Sequence, residues 1–192
     1  HRADGIDFDV AVFTNLTPEH LDYHGDLNGY FSSKRRLFSD LLGNGRAVLN
    51  LDDEVGRRLL KEFPGSCSFG QDSADVSVKE VSLSRDGIKG MFSTPTGEVE
   101  IDSSLIGSFN VSNLLAAVAT AATLELSSTQ IAAGIASSPQ IPGRVERVVN
   151  DLDILALVDY AHTGDALEQV LKTLSQLDAR KLITSAISSS LP

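Results

Sequence analysis

From Asn110 to Leu126 the chain is rich in alanine and leucine, and no other stretch constrains the fold as tightly. A helix that is apolar on most of its sides must be covered on most of its sides. Other helices or a sheet therefore have to pack against it. Ser127-Ser128 offers a cap, and Gln130 to Ser137 continues helical. Sheet signals lie upstream. Val10 to Phe13 is a short apolar run ending in the polar pair Thr14-Asn15, the pattern of a buried strand that stops at a site. Ala47 to Leu51 predicts another strand, and Glu54 to Phe63 a helix stopped by Pro64-Gly65. Between them Leu27, Tyr30, Phe31, Lys34, Leu37, Phe38, Leu41 and Leu42 recur at helical spacing, one apolar stripe that only Lys34 interrupts.

The middle of the chain changes character. Val76, Val78, Val81 and Leu83 precede Arg85-Asp86-Gly87, and Ile88, Met91 and Phe92 precede Pro95-Thr96-Gly97. Strand runs broken by turn residues predict a β-meander. Ser138-Pro139 and Pro142-Gly143 mark a boundary, dividing the chain into 1–142 and 143–192. Beyond it, Ile154 to Val158 is expected to be a parallel-sheet strand. Leu167, Val170, Leu171 and Leu174 share one helix face, and Leu182 to Ile187 is expected as the next strand. The predicted class is α/β: a mainly parallel sheet with flanking helices and a small meander, then the opening of a second, Rossmann-like unit.

Hydrophobic residues make up 42% and charged residues 22%, ordinary for a globular chain. Sixteen basic against 26 acidic side chains leave a net charge of -10, so there is no basic surplus to neutralise nucleic-acid phosphates. A few local cations can still hold a small anion. No apolar run approaches the roughly 20 residues that span a bilayer, and no membrane association is expected. The single Cys67 can form no internal disulfide, which points to a reducing, cytoplasmic setting.

The densest polar cluster runs from Thr14 to Gly25 and holds Glu19, His20, Asp22 and His24 after a strand end. Open α/β sheets place ligands there, although a solvated loop with helix-capping residues has the same composition. Lys34 on its apolar stripe either snorkels to water or is held near a metal or phosphate. Asn110 and Asn113 put two amides three apart at a helix start. Asn110 is a candidate N-cap, and the pair could read the edge of a purine. Arg144 follows the rigid Pro142-Gly143 turn. Asp159 and His162 end a strand, where a capped helix start, with Asp165 as another possible cap, is the plainer explanation. No phosphate loop, dinucleotide fingerprint, nucleophile elbow or zinc spacing occurs.

Together these words resemble the Mur ligases, and within them the UDP-N-acetylmuramoyl-tripeptide synthetase branch. The resemblance rests on Val12-Phe13-Thr14-Asn15-Leu16 through Asp22-Tyr23-His24-Gly25, Ser33-Lys34 with Leu37-Phe38, and Asn50-Leu51-Asp52-Asp53-Glu54. It continues in Gly107 through Asn113, Pro142-Gly143-Arg144, and Val158-Asp159-Tyr160-Ala161-His162-Thr163, up to about Thr184. The family forms amide bonds with ATP through an acyl phosphate. The resemblance implies that 1–142 is most of the central ATP-binding domain and 143–192 the start of the amino-acid-binding domain. It implies Mg²⁺ and ATP as cofactors, with His20 a magnesium ligand and Lys34 a carbamylated lysine, both catalytic. A carbamate turns a cation into an anion with two oxygens, which suits a hard Mg²⁺ ion.

Further residue roles follow from the same resemblance. Asn15, Asn110, Asn113, Arg144, Asp159 and His162 correspond to nucleotide-binding positions. Arg2, Thr14 and Asn15 correspond to substrate-binding ones. The implied partners are a UDP-N-acetylmuramoyl dipeptide and diaminopimelate or lysine, in a monomeric full-length parent. The family's phosphate loop has no counterpart here, so the chain alone is expected to show no ligase turnover and marginal stability. Gly164 stands where the family has proline. Ser185 to Pro192 departs from the family's Gly-rich continuation and resembles a frameshifted or artificial end. A non-catalytic Mur-ligase-like scaffold, or a sister ligase of the folylpolyglutamate or cyanophycin synthetase type, are the alternatives.

Overall fold

The structure, a computed structural model, describes residues 5–16, 27–152, 154–175, 177 and 181–185. Six strands form one mixed sheet in chain order: β1 Val10–Phe13, β2 Arg46–Asn50, β3 Cys67–Gly70, β4 Val76–Ser84, β5 Gly87–Thr94 and β6 Gly97–Ser103. The pairings β1–β2, β2–β3 and β3–β4 are parallel, whereas β4–β5 and β5–β6 are antiparallel. The meander is thus not a separate layer. It extends the parallel sheet, because β4 pairs on one side with β3 and on the other with β5. The short β3, with Phe69 between Pro64-Gly65 and the turn after Gly70, is a strand that the sequence reading had passed over.

Alternation along the strands divides the core in two. Val48, Phe69, Val76, Ile88, Phe92, Val99 and Ile101 point to one face, covered by α3 Phe109–Thr123 and α4 Ser128–Ser137. Ala11, Phe13, Ala47 and Leu49 point to the other, against α1 Leu27–Arg36, its π-helical extension Leu37–Leu41, and α2 Glu54–Glu62. The Ala- and Leu-rich helix is α3, and it buries Val111, Leu114, Leu115 and Val118 as its composition requires. Ser127 caps α4 in a full capping box with Gln130, as expected from Ser127-Ser128.

Three expectations are corrected. Asn110 is not the N-cap of α3. Ser108 precedes the helix, and Asn110 sits in its first turn. The strand expected at Ile154 to Val158 is shorter, β8 Ala156–Val158, and pairs antiparallel with β7 Glu146–Val148 as a two-stranded ribbon. Its apolar composition is equally compatible with either pairing; the partner decides. A second strand at Leu182 to Ile187 does not form within residues 181–185, which carry no regular structure, and 186 and 187 lie outside the described residues. Helix α5 Gly164–Ser175 follows β8, and Thr163 caps it, its hydroxyl accepting the Ala166 amide; the side chain of Asp165 lies outside what the structure describes.

Candidate functional site

Sheet polarity decides where the polar words meet. β1 to β4 run the same way, and β6, two antiparallel steps beyond β4, runs that way too. These strands point the same way, but their exits are staggered: Val76 pairs with Phe69, so β4 begins where β3 ends, and the exits of β4 at Arg85 and β6 at Ser104 lie the nine-residue length of β4 beyond those of β1 at Thr14 and β2 at Leu51. The first turn of α3, with Asn110 and Asn113, follows the β6 exit. The segment from Gln140 to Arg147 is tied to the exits of β6 and β4. Gln140 Nε2 donates to the Ser104 carbonyl at 3.2 Å, and Arg147 Nη1 pairs with Asp86 at 3.1 Å. Carboxyl ends of parallel strands are where such sheets bind ligands.

At the end of β1 the backbone is held from three sides. Asn50 Nδ2 donates to the Thr14 carbonyl at 2.7 Å, and Leu16 N donates to Asp53 Oδ2 at 3.2 Å. Lys34 Nζ donates to the Asn15 carbonyl at 3.0 Å and lies 4.8 Å from the Tyr30 ring centroid. The lysine on the apolar stripe is therefore half-buried and directed at the strand end. Asp52 accepts the Gln71 amide with both oxygens, at 3.1 and 3.0 Å, which binds the end of β2 to the end of β3. Gly56 allows this bracket to close: a Cβ there would lie 1.8 Å from the Asn50 carbonyl oxygen. Asn50, Asp52 and Asp53 belong to a family-like word, yet the sequence reading gave them no role. Asp53 caps the helix that starts at Glu54, and its second bond reaches across 37 residues, which no local spacing records.

The two asparagines of α3 are together but not equivalent. Asn110 is 6% exposed; its Nδ2 donates to the Ile106 carbonyl at 2.9 Å, and its Oδ1 accepts Asn113 Nδ2 at 2.9 Å. Asn110 thus anchors Asn113, whose exposed amide keeps an acceptor oxygen and one N–H for a ligand. Asp159 also faces inward. Its Oδ2 accepts the Val145 amide and its Oδ1 the Ala161 amide, each at 2.8 Å. Those bonds hold a bent segment: Gly143 has φ +67°, and the buried, β-branched Val145 has φ +48°, a region such residues rarely adopt. The Arg144 side chain between them is exposed and makes no hydrogen bond or ion pair among the described residues. His162 is exposed, with Nδ1 2.9 Å from the Tyr160 carbonyl oxygen. Thr14 and Asn15 present exposed side chains, whereas Arg2 and His20 lie outside the described residues.

Lys34 and the exposed Arg144 are cations that an anion could meet, and Asn113 offers an outward amide edge. Magnesium is a different matter. Among the described residues no group of three histidine, cysteine, aspartate or glutamate side chains is placed to hold a metal. Asp52 and Asp53 already accept backbone amides. These residues do not by themselves make a magnesium site.

The fold is that of an open α/β protein, a class that binds ligands at the carboxyl ends of its parallel strands. The Mur ligase middle domain matches residues 1–121. The chain belongs to the Mur ligase family. It is 48% identical to a UDP-N-acetylmuramoyl-L-alanyl-D-glutamate–2,6-diaminopimelate ligase of Geobacter metallireducens, over 95% of this chain and 37% of that relative. A solved structure of a ligase with the same name superposes with a TM-score of 0.78 at 33% identity, covering 93% of this chain and 38% of that one. MurF from Acinetobacter baumannii superposes equally well at 24% identity, which speaks for the shared fold alone. The chain spans under two fifths of these relatives. No helix among the described residues is long and apolar enough to cross a membrane.

Proposed function

We propose that this chain is part of an ATP-dependent, amide-forming ligase of peptidoglycan precursor synthesis. In this reading the parent protein adds a third amino acid, diaminopimelate as in the named relatives, to UDP-N-acetylmuramoyl-L-alanyl-D-glutamate, in the cytoplasm and as a monomer. The observation that supports it is Lys34 held on the Asn15 carbonyl at the end of β1, beside the outward amide of Asn113 at the start of α3 and the exposed Arg144 as further candidate contacts, within a chain of this family.

Asn113 reads the edge of the adenine, and Asn110 holds it in place. Arg144 meets the nucleotide from beyond the Pro142-Gly143 turn. Asp159 keeps that turn bent, and His162 stands two residues past Tyr160 on the same side. Thr14 and Asn15, with Arg2, serve the muramoyl substrate. His20 would complete a magnesium site with donors outside the described residues; the metal would neutralise charge on the transferring phosphoryl group. Lys34 is the carbamate-bearing lysine. A carbamate keeps one N–H, so it can retain the bond to the Asn15 carbonyl while its carboxylate faces the rim.

Calorimetric titration of the chain with ATP and Mg²⁺, repeated with Asn113→Ala, tests the nucleotide site. Loss of one uncharged hydrogen bond of about 1 kcal/mol weakens binding roughly fivefold. A cooperatively folded chain that binds no nucleotide, or a variant that binds as well as wild type, removes this support.

A further inference from the structure

Asp53 uses its two carboxylate oxygens for separate purposes. Oδ1 accepts the Val55 and Gly56 amides at 2.8 and 3.3 Å and so caps α2. Oδ2 accepts the Leu16 amide at 3.2 Å. Asn50 divides in the same way: Oδ1 takes the Asp52 amide at 2.9 Å, and Nδ2 donates to the Thr14 carbonyl at 2.7 Å. Thr14 and Leu16 flank Asn15, whose carbonyl is the acceptor for Lys34 Nζ. The side chains from the end of β2 therefore clamp the backbone on both sides of the one carbonyl that the lysine meets.

We propose that Asp53 and Asn50 are positioning residues for Lys34, acting through the backbone of Thr14 to Leu16. The functional meaning of Lys34 rests on the proposed ligase site; the clamp itself does not. A flexible four-carbon side chain has several rotamers to choose from. Its place depends on an acceptor that stays still, and the Asn15 carbonyl stays still because its own peptide group is held through the Leu16 N–H on Asp53 and the preceding one through the Thr14 carbonyl on Asn50.

Two substitutions separate this role from folding. Asn caps helices as well as Asp, so Asp53→Asn keeps an oxygen on the Val55 and Gly56 amides. It then turns an NH₂ against the Leu16 N–H, donor against donor. Asn50→Asp likewise keeps the Asp52 contact and puts an oxygen against the Thr14 carbonyl. The chain is reductively methylated with ¹³C-formaldehyde, and the Lys34 dimethyl signal is identified with Lys34→Arg. Dimethyl-lysine retains one N–H, and the nearby Tyr30 ring shifts its methyl resonance away from those of the exposed Lys79 and Lys89.

In both variants the Lys34 signal is expected to move to the position of the exposed lysines, with the far-ultraviolet circular dichroism retained. A folded variant whose Lys34 signal stays displaced overturns the proposal. So does a Leu16 amide in the wild-type chain that exchanges with solvent as fast as a free peptide, whatever the variants do. Titration of the same samples with ATP and Mg²⁺ keeps the two readings apart. A Lys34 signal that responds to both substitutions in a chain that binds no nucleotide upholds the clamp and removes the ligase site.

Discussion

The two rims of one sheet are built by different means. At the carboxyl rim, loop backbone is held by side chains from distant elements: Asn50 on Thr14, Asp53 on Leu16, Asp52 on Gln71, and Asp159 on Val145 and Ala161. At the amino rim, where β2 and β3 begin and α3 ends, a cavity of about 290 Å³ lies among Arg46, Cys67, Asp75, Thr96 and Thr123. There the buried Thr123 hydroxyl finds no hydrogen-bond partner of ordinary geometry among the described residues, and only the weakly bonding Cys67 thiol lies beside it. One rim is closed by bonds between distant elements, across 36 residues for Asn50 and 37 for Asp53. Beside the cavity the bonds are mostly local: Asp75 accepts the Ser68 amide and hydroxyl at 2.8 and 2.7 Å, and the Thr94 hydroxyl donates to the Gly97 carbonyl at 2.7 Å. Bonds between distant elements are what holds a ligand site still.

That contrast can be broken most forcefully at Gly56. Gly56→Ala drives a methyl into the Asn50 carbonyl and is expected to remove roughly 3 kcal/mol of stability in urea unfolding. The same change at Gly134, where no atom lies within 4 Å, should gain up to about 1 kcal/mol. Equal effects at the two sites would mean that the bracket is soft. Asp159→Ala comes next, leaving the Val145 and Ala161 amides unpaired beside a strained φ. A loss of about 2 kcal/mol is expected, seen as faster hydrogen exchange at Val145.

On the amino rim the sign reverses. Thr123→Val replaces a hydroxyl whose one polar neighbour is the weakly bonding Cys67 thiol with a methyl of the same shape and should stabilise the fold by about 1 kcal/mol in the same assay. A loss would show that the hydroxyl has a partner after all. The smallest effect concerns Cys67. Burial, the largest influence, pushes its thiol above the ordinary range; the Thr123 hydroxyl works against that shift, and Asp75 adds to it. The unfolded chain thus ionises this thiol first and binds fewer protons than the folded chain in the alkaline range. Stability contributed by Cys67 is whole below the ordinary thiol pKa and declines as pH rises through the folded value. Cys67→Ser should flatten that alkaline decline, and alkylation of Cys67 by iodoacetamide should lag behind that of an exposed thiol.

Much of the architecture is legible from spacing. Val10 to Phe13 is the strand it announces, Ser127 caps α4, and the Ala- and Leu-rich α3 is buried. These features depend on neighbours in sequence, so their periods survive in it. The site is legible only as a set of odd residues. Lys34 stands out because it breaks a stripe, and Asn113 because an amide sits inside a helix. Neither position says what the residue touches.

By itself the sequence determined the α/β class, the order of most elements, β3 and β7 excepted, and the words that place the chain in its family. Tertiary structure decided the rest: that the meander continues the parallel sheet, that β8 pairs antiparallel with β7, that Asn110 supports Asn113, and that Asp53 reaches Leu16. The physical reason is range. Periodicity and capping act over a few residues, whereas a carboxylate's second oxygen finds its donor only after the chain has folded back, and no local spacing records that partner.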